Sequence, residues 1–202
     1  MSPTPQAEET RMKIMQTALD LFHRSSFKGT SLNQIVAAAE TTKGALFHHF
    51  KGKNELGYAI VDELLGAMMD AYWVIPLANS TDPVTDILGI LAQMGKECHG
   101  DPEHFASGCP MNNLSQEMSS SDETFRLRLG AIYDRWEGAI AKAIASGIKA
   151  GNVRTDVDPI AFASILVALF EGAIGMIKVK QSPEHYGNME KGIRSLLESI
   201  RN

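Results

Sequence analysis

Apolar positions recur at helical spacing along almost the whole chain. Ile14, Ala18, Leu21 and Phe22 share one face of a helix over 7–25. Leu32, Ile35, Val36 and Ala39 repeat that spacing in a short segment that Thr30 or Ser31 can cap, with Gln34 at capping-box distance behind Ser31. Glu40, Thr41 and Thr42 interrupt the pattern, and Thr41 or Thr42 can cap a second short helix from Lys43 to His49. Gly52 separates that helix from a longer one, Lys53 to about Trp73, with Leu56, Ile60, Leu64 and Met68 in one stripe. Pro76 and the run from Asn79 to Pro83 mark a loop, because proline cannot continue a helix and the short polar side chains cap the next one.

Further along, Ile87, Leu88, Leu91 and Met94 predict a helix over 84–99, stopped by Gly100, Asp101 and Pro102. A short helix around 103–118 follows, bent near Gly108 and Pro110. Ser119 to Asp122 begin a long run to about Ala150 that carries Phe125, Leu129, Ile132, Trp136, Ile140 and Ile144, and Gly151-Asn152 closes it. Asp156 to Pro159 cap the next helix and Ser182-Pro183 the last, which runs to Arg201. No segment sustains strand alternation, so the expectation is an all-α chain of about nine helices without an internal repeat. The first three helices read as a helix-turn-helix domain over 1–55. The remainder, 56–202, reads as a helical ligand-binding and dimerisation domain, with the boundary inside the long helix.

A seven-residue helix such as Lys43–His49 is too short to stand alone and needs its neighbours. Its small or hydrogen-bonding residues at one end and aromatic or imidazole groups at the other suit close approach to a major groove. The net charge of −5 speaks against nucleic acid, but it is unevenly spread: residues 1–60 carry seven Lys/Arg against five Asp/Glu, the rest twelve against nineteen. A mildly basic head on an acidic body fits a small DNA contact surface with a separate remainder. At 44% hydrophobic and 21% charged, the 202 residues can bury a proper core.

The run ALDLFHRSSFKGTSLNQIVAAAETTKGALFHHFKGKNEL resembles the N-terminal DNA-binding region of the TetR family of bacterial transcriptional regulators. The match includes the turn Lys-Gly-Ala-Leu-Phe-His-His-Phe. Phe47 stands where the family most often has Tyr, and Glu40-Thr41-Thr42 replaces a commoner small-Val-Ser. The resemblance implies phosphate contacts from Thr30 and Ser31, and base or adjacent phosphate contacts from Thr41, Thr42, Lys43, Gly44 and Ala45. It places Phe47, His48, His49 and Lys53 on the DNA backbone or in support of it. Adjacent helical residues point about 100° apart, so His48 and His49 are not read as a metal pair.

Gly108-Cys109-Pro110 with Leu114 and Glu117, Trp136-Glu137, and Phe170-Glu171-Gly172-Ala173 resemble the C-terminal ligand domain of one branch of that family. Some members of the branch answer electrophiles or oxidants through a cysteine at this Gly-Cys position. The expected ligand set is Met94, Cys98, Phe105, Cys109, Met111, Asn113, Glu117, Trp136 and Phe170, in which flexible Met side chains adapt to a small molecule and a few polar groups orient it. Covalent modification of Cys109 is the alternative mode of sensing. Its bland counterpart is a small buried thiol. A zinc set of Cys98, His99, His104 and Cys109 fails on spacing, since Gly100-Asp101-Pro102 intervenes and no CxxC is present.

The segments 160–176 and 193–200 read as interface helices. Small residues permit close approach there, and Phe162, Leu166, Leu169, Ala173 and Leu196 supply area for a two-fold four-helix contact between subunits. Glu171 and many small residues inside 160–177 favour a buried interface helix over a membrane span. With two cysteines and no signal peptide ahead of them, the chain is expected to be cytoplasmic. It shows no phosphate-binding Gly-rich loop, nucleophile elbow or HExxH, so no enzyme, cofactor or metal is expected. The function that these features imply is a homodimeric repressor on a palindromic operator, released by a small-molecule inducer.

Overall fold

The structure is a computed structural model that describes residues 4–101 and 106–202, apart from the side chains of Cys98, His99, Pro183 and Tyr186. Its described residues are helical with no strand, and Val153 and Arg201 form an isolated backbone bridge. The helices are α1 (Pro5–Ser25), α2 (Leu32–Ala38) and α3 (Lys43–His49), then α4, a rod over 53–77. After it come α5 (Pro83–Gly100), α6 (Pro110–Met118), α7 (Glu123–Ala150), α8 (Pro159–Lys180) and α9 (Pro183–Glu198). They form two compact units, Met1–Ala67 with Pro110–Gly130, and Met68–Cys109 with Ala131–Asn202. Packing thus groups α6 and the start of α7 with the N-terminal helices, which chain order does not suggest.

Side chains set the helix starts. Ser31 accepts from the Gln34 amide at 3.3 Å while the Gln34 side chain accepts from the Ser31 amide at 2.8 Å, the reciprocal capping box. Thr42 caps α3 through the Ala45 amide at 3.1 Å. Asp122 caps α7 through the amides of Thr124 and Phe125 at 2.9 and 3.1 Å. Of the alternatives read from sequence, Ser31 and Thr42 are the residues used.

The rod α4 is not a uniform α-helix. It opens as Lys53–Ala59, widens into a π-type turn at Ile60–Leu65, returns to α geometry at Gly66–Met69, widens again at Asp70–Val74 and closes with Ile75–Leu77. A π turn adds a residue to the repeat. The buried stripe is therefore Leu56, Ile60, Leu65, Met69 and Trp73, not the expected Leu64 and Met68, which are half-buried. Pro76, expected to lie in a loop, sits in the first turn of the closing segment, just past the second widening. The short helix expected from residue 103 is seen from Pro110, and residues 102–105 lie outside the described residues.

In the first unit the core is aromatic at its centre: Phe27 packs on Phe22 at 4.8 Å and on Phe125 at 5.1 Å, and Tyr58 on Phe125 at 4.8 Å. Gly57 faces this cluster, and a Cβ there would lie 2.5 Å from Phe125 Cζ and 2.8 Å from the Phe27 ring. Arg11 grips Glu63 through two bonds of 2.6 and 2.5 Å and lies over the Phe50 ring, tying α1 to α4. The second unit is built on Trp73, which packs against Trp136 at 5.0 Å and Phe170 at 4.7 Å. Near the chain end, Arg201 reaches Asp82, the cap of α5, at 3.1 Å.

Gly57→Ala forces a methyl group into the Phe27–Phe125 contact, and overpacking of this kind costs ~1–3 kcal/mol. Urea unfolding should show that loss; an unchanged midpoint would mean that the aromatic cluster yields freely. Burial works against the charged form of Asp122, but the Phe125 amide, the Tyr58 hydroxyl and the Thr124 amide outweigh it and hold the carboxyl below its ordinary range. Its stabilisation is therefore complete above the unfolded value of about 3.9 and is lost as the pH falls through the lower folded value. Asp122→Asn keeps a cap but loses the contribution of the charge, so urea unfolding should show lower stability than wild type at neutral pH and convergence with wild type at low pH, a flattened acid limb.

Candidate nucleic-acid interface

The turn between α1 and α2 positions the two short helices. Ser26 ends α1 with φ at 66° and ψ at 161°, a region that side chains rarely occupy. Gly29 is required there, because a Cβ would lie 2.3 Å from the Ser25 carbonyl oxygen. The Thr30 hydroxyl donates to the Ser26 carbonyl at 2.8 Å, and the Ser26 hydroxyl oxygen accepts from the Gly29 amide at 3.1 Å. The Lys53 ammonium donates to the carbonyls of Phe27 and Thr30 at 3.0 and 2.9 Å and lies 4.8 Å from the centre of the Phe27 ring. From α6, the Glu117 carboxylate accepts the amides of Phe27 and Lys28 at 2.8 and 2.7 Å.

On this base α3 turns Leu46 inward, and Phe50 just beyond it is likewise buried. Thr42, Lys43, Gly44, Phe47 and His48 are exposed; residues 43, 44, 47 and 48 share one face, and Phe47 keeps 52% of its surface open. A Cβ on Gly44 would meet only Thr42 Oγ1, at 3.8 Å, so nothing inside the chain demands glycine; its missing side chain leaves backbone open to an approaching surface. Lys51 follows on the exposed side, and among the described residues neither Lys43 nor Lys51 joins an ion pair. Thr41, Ala45 and His49 are half-buried. Burial first, then the neighbouring His48 and Arg11, push the His49 imidazole below its ordinary value. The rings of His48 and His49 meet edge to face at 5.0 Å.

Two of the expected DNA-facing residues sit elsewhere. Thr30 is 2% exposed with its hydroxyl turned inward to Ser26, so only Ser31 of that pair lies on the surface. Lys53 has its ammonium group engaged by the 27–30 turn, which makes it a brace. Lys51, absent from the residues expected to face DNA, is a second exposed cation, and its signal in the sequence is its place two residues past the end of the short helix.

The expected ligand set is divided. Met111, Asn113 and Glu117 lie in the first unit, where Met111 is core and Glu117 is engaged by the 27–28 amides. Met94, Cys109, Trp136 and Phe170 lie in the second. The Cys98 side chain and Phe105 lie outside the described residues. Trp136 and Phe170 meet at 6.2 Å, and Trp73, next in the stripe of α4 but absent from the expected set, touches both. The buried Trp136 Nε1 has no acceptor among the described residues. Met94 and Phe170 share a narrow apolar cavity of about 30 Å³ with Leu91, Ile177, Met189 and Ile193. A separate open groove of about 550 Å³ runs past Tyr72, Pro76, Asp86, Gly89 and Gln93. At its side the Glu97 carboxylate accepts from Tyr72 and from Gln93, and burial followed by Glu97 pushes the Tyr72 phenol up to about 12.

Cys109 is half-buried and its thiol donates to the Glu171 carboxyl at 3.6 Å. A sensor thiol is activated by a neighbouring cation, whereas the group placed here is acidic. That environment does not favour the covalent alternative. Among the described residues no three His, Cys, Asp or Glu side chains gather where a metal could sit.

The expected interface residues also separate. Leu166 and Ala173 are buried within the subunit itself, Phe162 and Leu196 are half-buried, and Leu169 is exposed. The open apolar face of α8 consists of Ile165, Leu169, Met176 and Val179, with Gly172 facing open space, at alternating steps of four and three. This helix is long and apolar enough to cross a membrane by composition, but it carries the buried Glu171 and contributes to the core.

Known proteins match this geometry along most of the chain. Residues 14–60 match the family model for bacterial regulatory proteins of the tetR family, and residues 93–193 that for the tetracyclin repressor-like C-terminal domain. The chain is 26% identical over 184 residues to the HTH-type transcriptional repressor DhaR of Mycobacterium sp. (strain GP1), covering 91% of this chain and 88% of that protein. It is 25% identical to the transcriptional regulator AcuR of Cereibacter sphaeroides, covering 89% and 81%. Its fold superposes on the crystal structure of a TetR-family transcriptional regulator from Cytophaga hutchinsonii with a TM-score of 0.83, at 21% identity and covering 99% and 98% of the two chains. With one model matching residues 14–60 and the other matching half of the chain, 93–193, the chain belongs to the TetR family of non-enzymatic, DNA-binding transcriptional regulators.

Proposed function

We propose that this regulator is a cytoplasmic homodimeric repressor that releases its operator on binding a small-molecule inducer, with DNA contact confined to residues 1–55 and ligand binding and dimerisation carried by 56–202. The observation that carries the DNA side is the exposed face of α3, where Lys43, Gly44, Phe47 and His48 stand clear of the core beside Lys51. Ser31, Thr42, Lys43 and Lys51 hold phosphates, and the open backbone at Gly44 approaches the base edges. Phe47 has no hydroxyl to offer a phosphate, so it packs against sugar. A two-fold dimer presents two such helices to half-sites whose centres lie ~34 Å apart or a multiple of that.

The partner copy covers the stripe of α8 from Phe162 through Ile165, Leu169 and Met176 to Val179, which would otherwise leave large apolar side chains in water. For the inducer, the second unit offers Trp73, Trp136 and Phe170 around the Trp136 N–H, a donor waiting for an acceptor atom on the ligand. The cavity beside them is far below the ~300–1,000 Å³ that a drug-sized molecule fills. Binding therefore requires Met94 and Met189 to swing aside, which thioether side chains do readily. A ligand that favours the opened state draws the population away from the DNA-competent one.

Selection from a random duplex library should enrich a palindrome with half-sites at that spacing, and the absence of any enriched sequence would defeat the repressor reading. Lys43→Ala and Lys51→Ala should each reduce the slope of log affinity against log salt by ~1.8, one phosphate contact of ~0.9 from each subunit of the dimer. Unchanged slopes in both would remove those contacts. Lys53→Ala should instead lower thermal stability, since it strips two carbonyls of their donor. Leu169→Glu should yield monomers in sedimentation equilibrium with helix content intact; a dimer that persists would place the interface elsewhere.

A further inference from the structure

The geometry points to Glu117 as the residue that positions the recognition helix: its carboxylate, near the end of α6, holds the backbone turn from which α2 and α3 hang. The inference rests on DNA binding through α3.

Glu117 lies in the last turn of α6, where the helix dipole disfavours a negative charge. Its location makes sense through its partners. The Phe27 and Lys28 amides reach its two oxygens at 2.8 and 2.7 Å, one bond per oxygen, and the Lys28 ammonium donates to the Glu117 main-chain carbonyl at 3.3 Å. Bonds from backbone amides to an ionised carboxylate are roughly twice as strong as neutral ones. The two amides stand three and four residues ahead of Ser31, the cap of α2, and α3 begins four residues after Ala39. A small rotation of the 27–28 peptide therefore swings both short helices.

The other holds on this turn come from nearby in sequence or from α4: Thr30 to Ser26, Gly29 to Ser26, and Lys53 to Phe27 and Thr30. Among these hydrogen bonds only those to Glu117 come from a segment some ninety residues away, and the Phe125 ring packs on Phe27 from the following helix. The chain enters α6 directly from Cys109, the last residue of that stretch of the second unit. None of the proposed DNA contacts involves this side chain, so Glu117 acts by placement.

The test uses the full-length protein and a duplex selected by the wild type, with an unrelated duplex of equal length as the non-specific probe. Glu117→Gln replaces one accepting oxygen by an amide that faces an N–H donor at almost unchanged volume. Its affinity for the selected duplex should fall at least about tenfold, the equivalent of one charge-assisted hydrogen bond. Affinity for the unrelated duplex and its salt slope should stay as in wild type, because Lys43 and Lys51 still reach phosphates. Gln116→Ala, one residue away and off the turn, should match wild type on both probes. An unchanged affinity for the selected duplex overturns the inference, and so does a loss that is equal on both duplexes and follows the folded fraction. If Glu117→Gln does not fold, Glu117→Asp, which keeps the charge and shortens the reach, is judged by the same ratio. A wild type that selects no sequence would fail before any variant is made, and would overturn the DNA-binding reading and this inference together.

Discussion

Satisfying the backbone of the 26–30 turn is the constraint on which the DNA-binding half depends. Two seven-residue helices have almost no stability of their own, and they must be delivered at a defined angle. The angle is set where α1 stops at Ser26, a residue held at a positive φ, and where Gly29 lets the chain pass the Ser25 carbonyl. Side chains then take up the polar groups that the turn removes from helical pairing: Lys53 takes two carbonyls, Glu117 two amides and Thr30 one carbonyl. An unmet backbone group in such a place costs ~1–3 kcal/mol, so each of these side chains holds the turn in its conformation. The Phe27 ring, packed between Phe22 and Phe125, anchors the same residue from its apolar side.

A second constraint operates along α4. Its first π turn carries the buried stripe one residue out of step between Ile60 and Leu65, and at that register Trp73 packs against Trp136 and Phe170. A regular helix with the same sequence would direct Leu64 and Met68 inward and leave Leu65 and Met69 outside. The ion pairs of Asp62 with Arg128 and of Asp70 with Arg135 line the outer side of the widened turns. They are half exposed and contribute little to stability. Their value is geometric, because an irregular helix needs lateral contacts to keep one register.

Electrostatics follow the same local logic. An overall charge of −5 is compatible with DNA because Lys43 and Lys51 on the exposed side of α3 join no ion pair among the described residues, while much of the negative charge lies in the body of the chain. At Cys109 the local environment works the other way. The thiol donates to the carboxyl of Glu171, an acidic partner and not the cation that activates a sensor thiol.

The all-helical class, the capping box of Ser31 and Gln34, the cap at Thr42 and the core face of α7 from Phe125 to Ile144 were legible in the sequence, because each depends on residues within a turn or two of one another. So was the family, since the recognition helix and its turn form one continuous stretch. What the sequence could not apportion was which of several plausible side chains faced outward. Thr30 and Lys53 looked like phosphate ligands and serve the turn; Glu117 looked like a ligand contact and grips two amides; Leu166 and Ala173 looked like interface and are core. Composition and spacing state what a side chain is able to do. Whether it spends that capacity on its own chain or on a partner is decided by groups distant in sequence and brought close by folding, and by the one-residue slips that π turns introduce into an otherwise regular period.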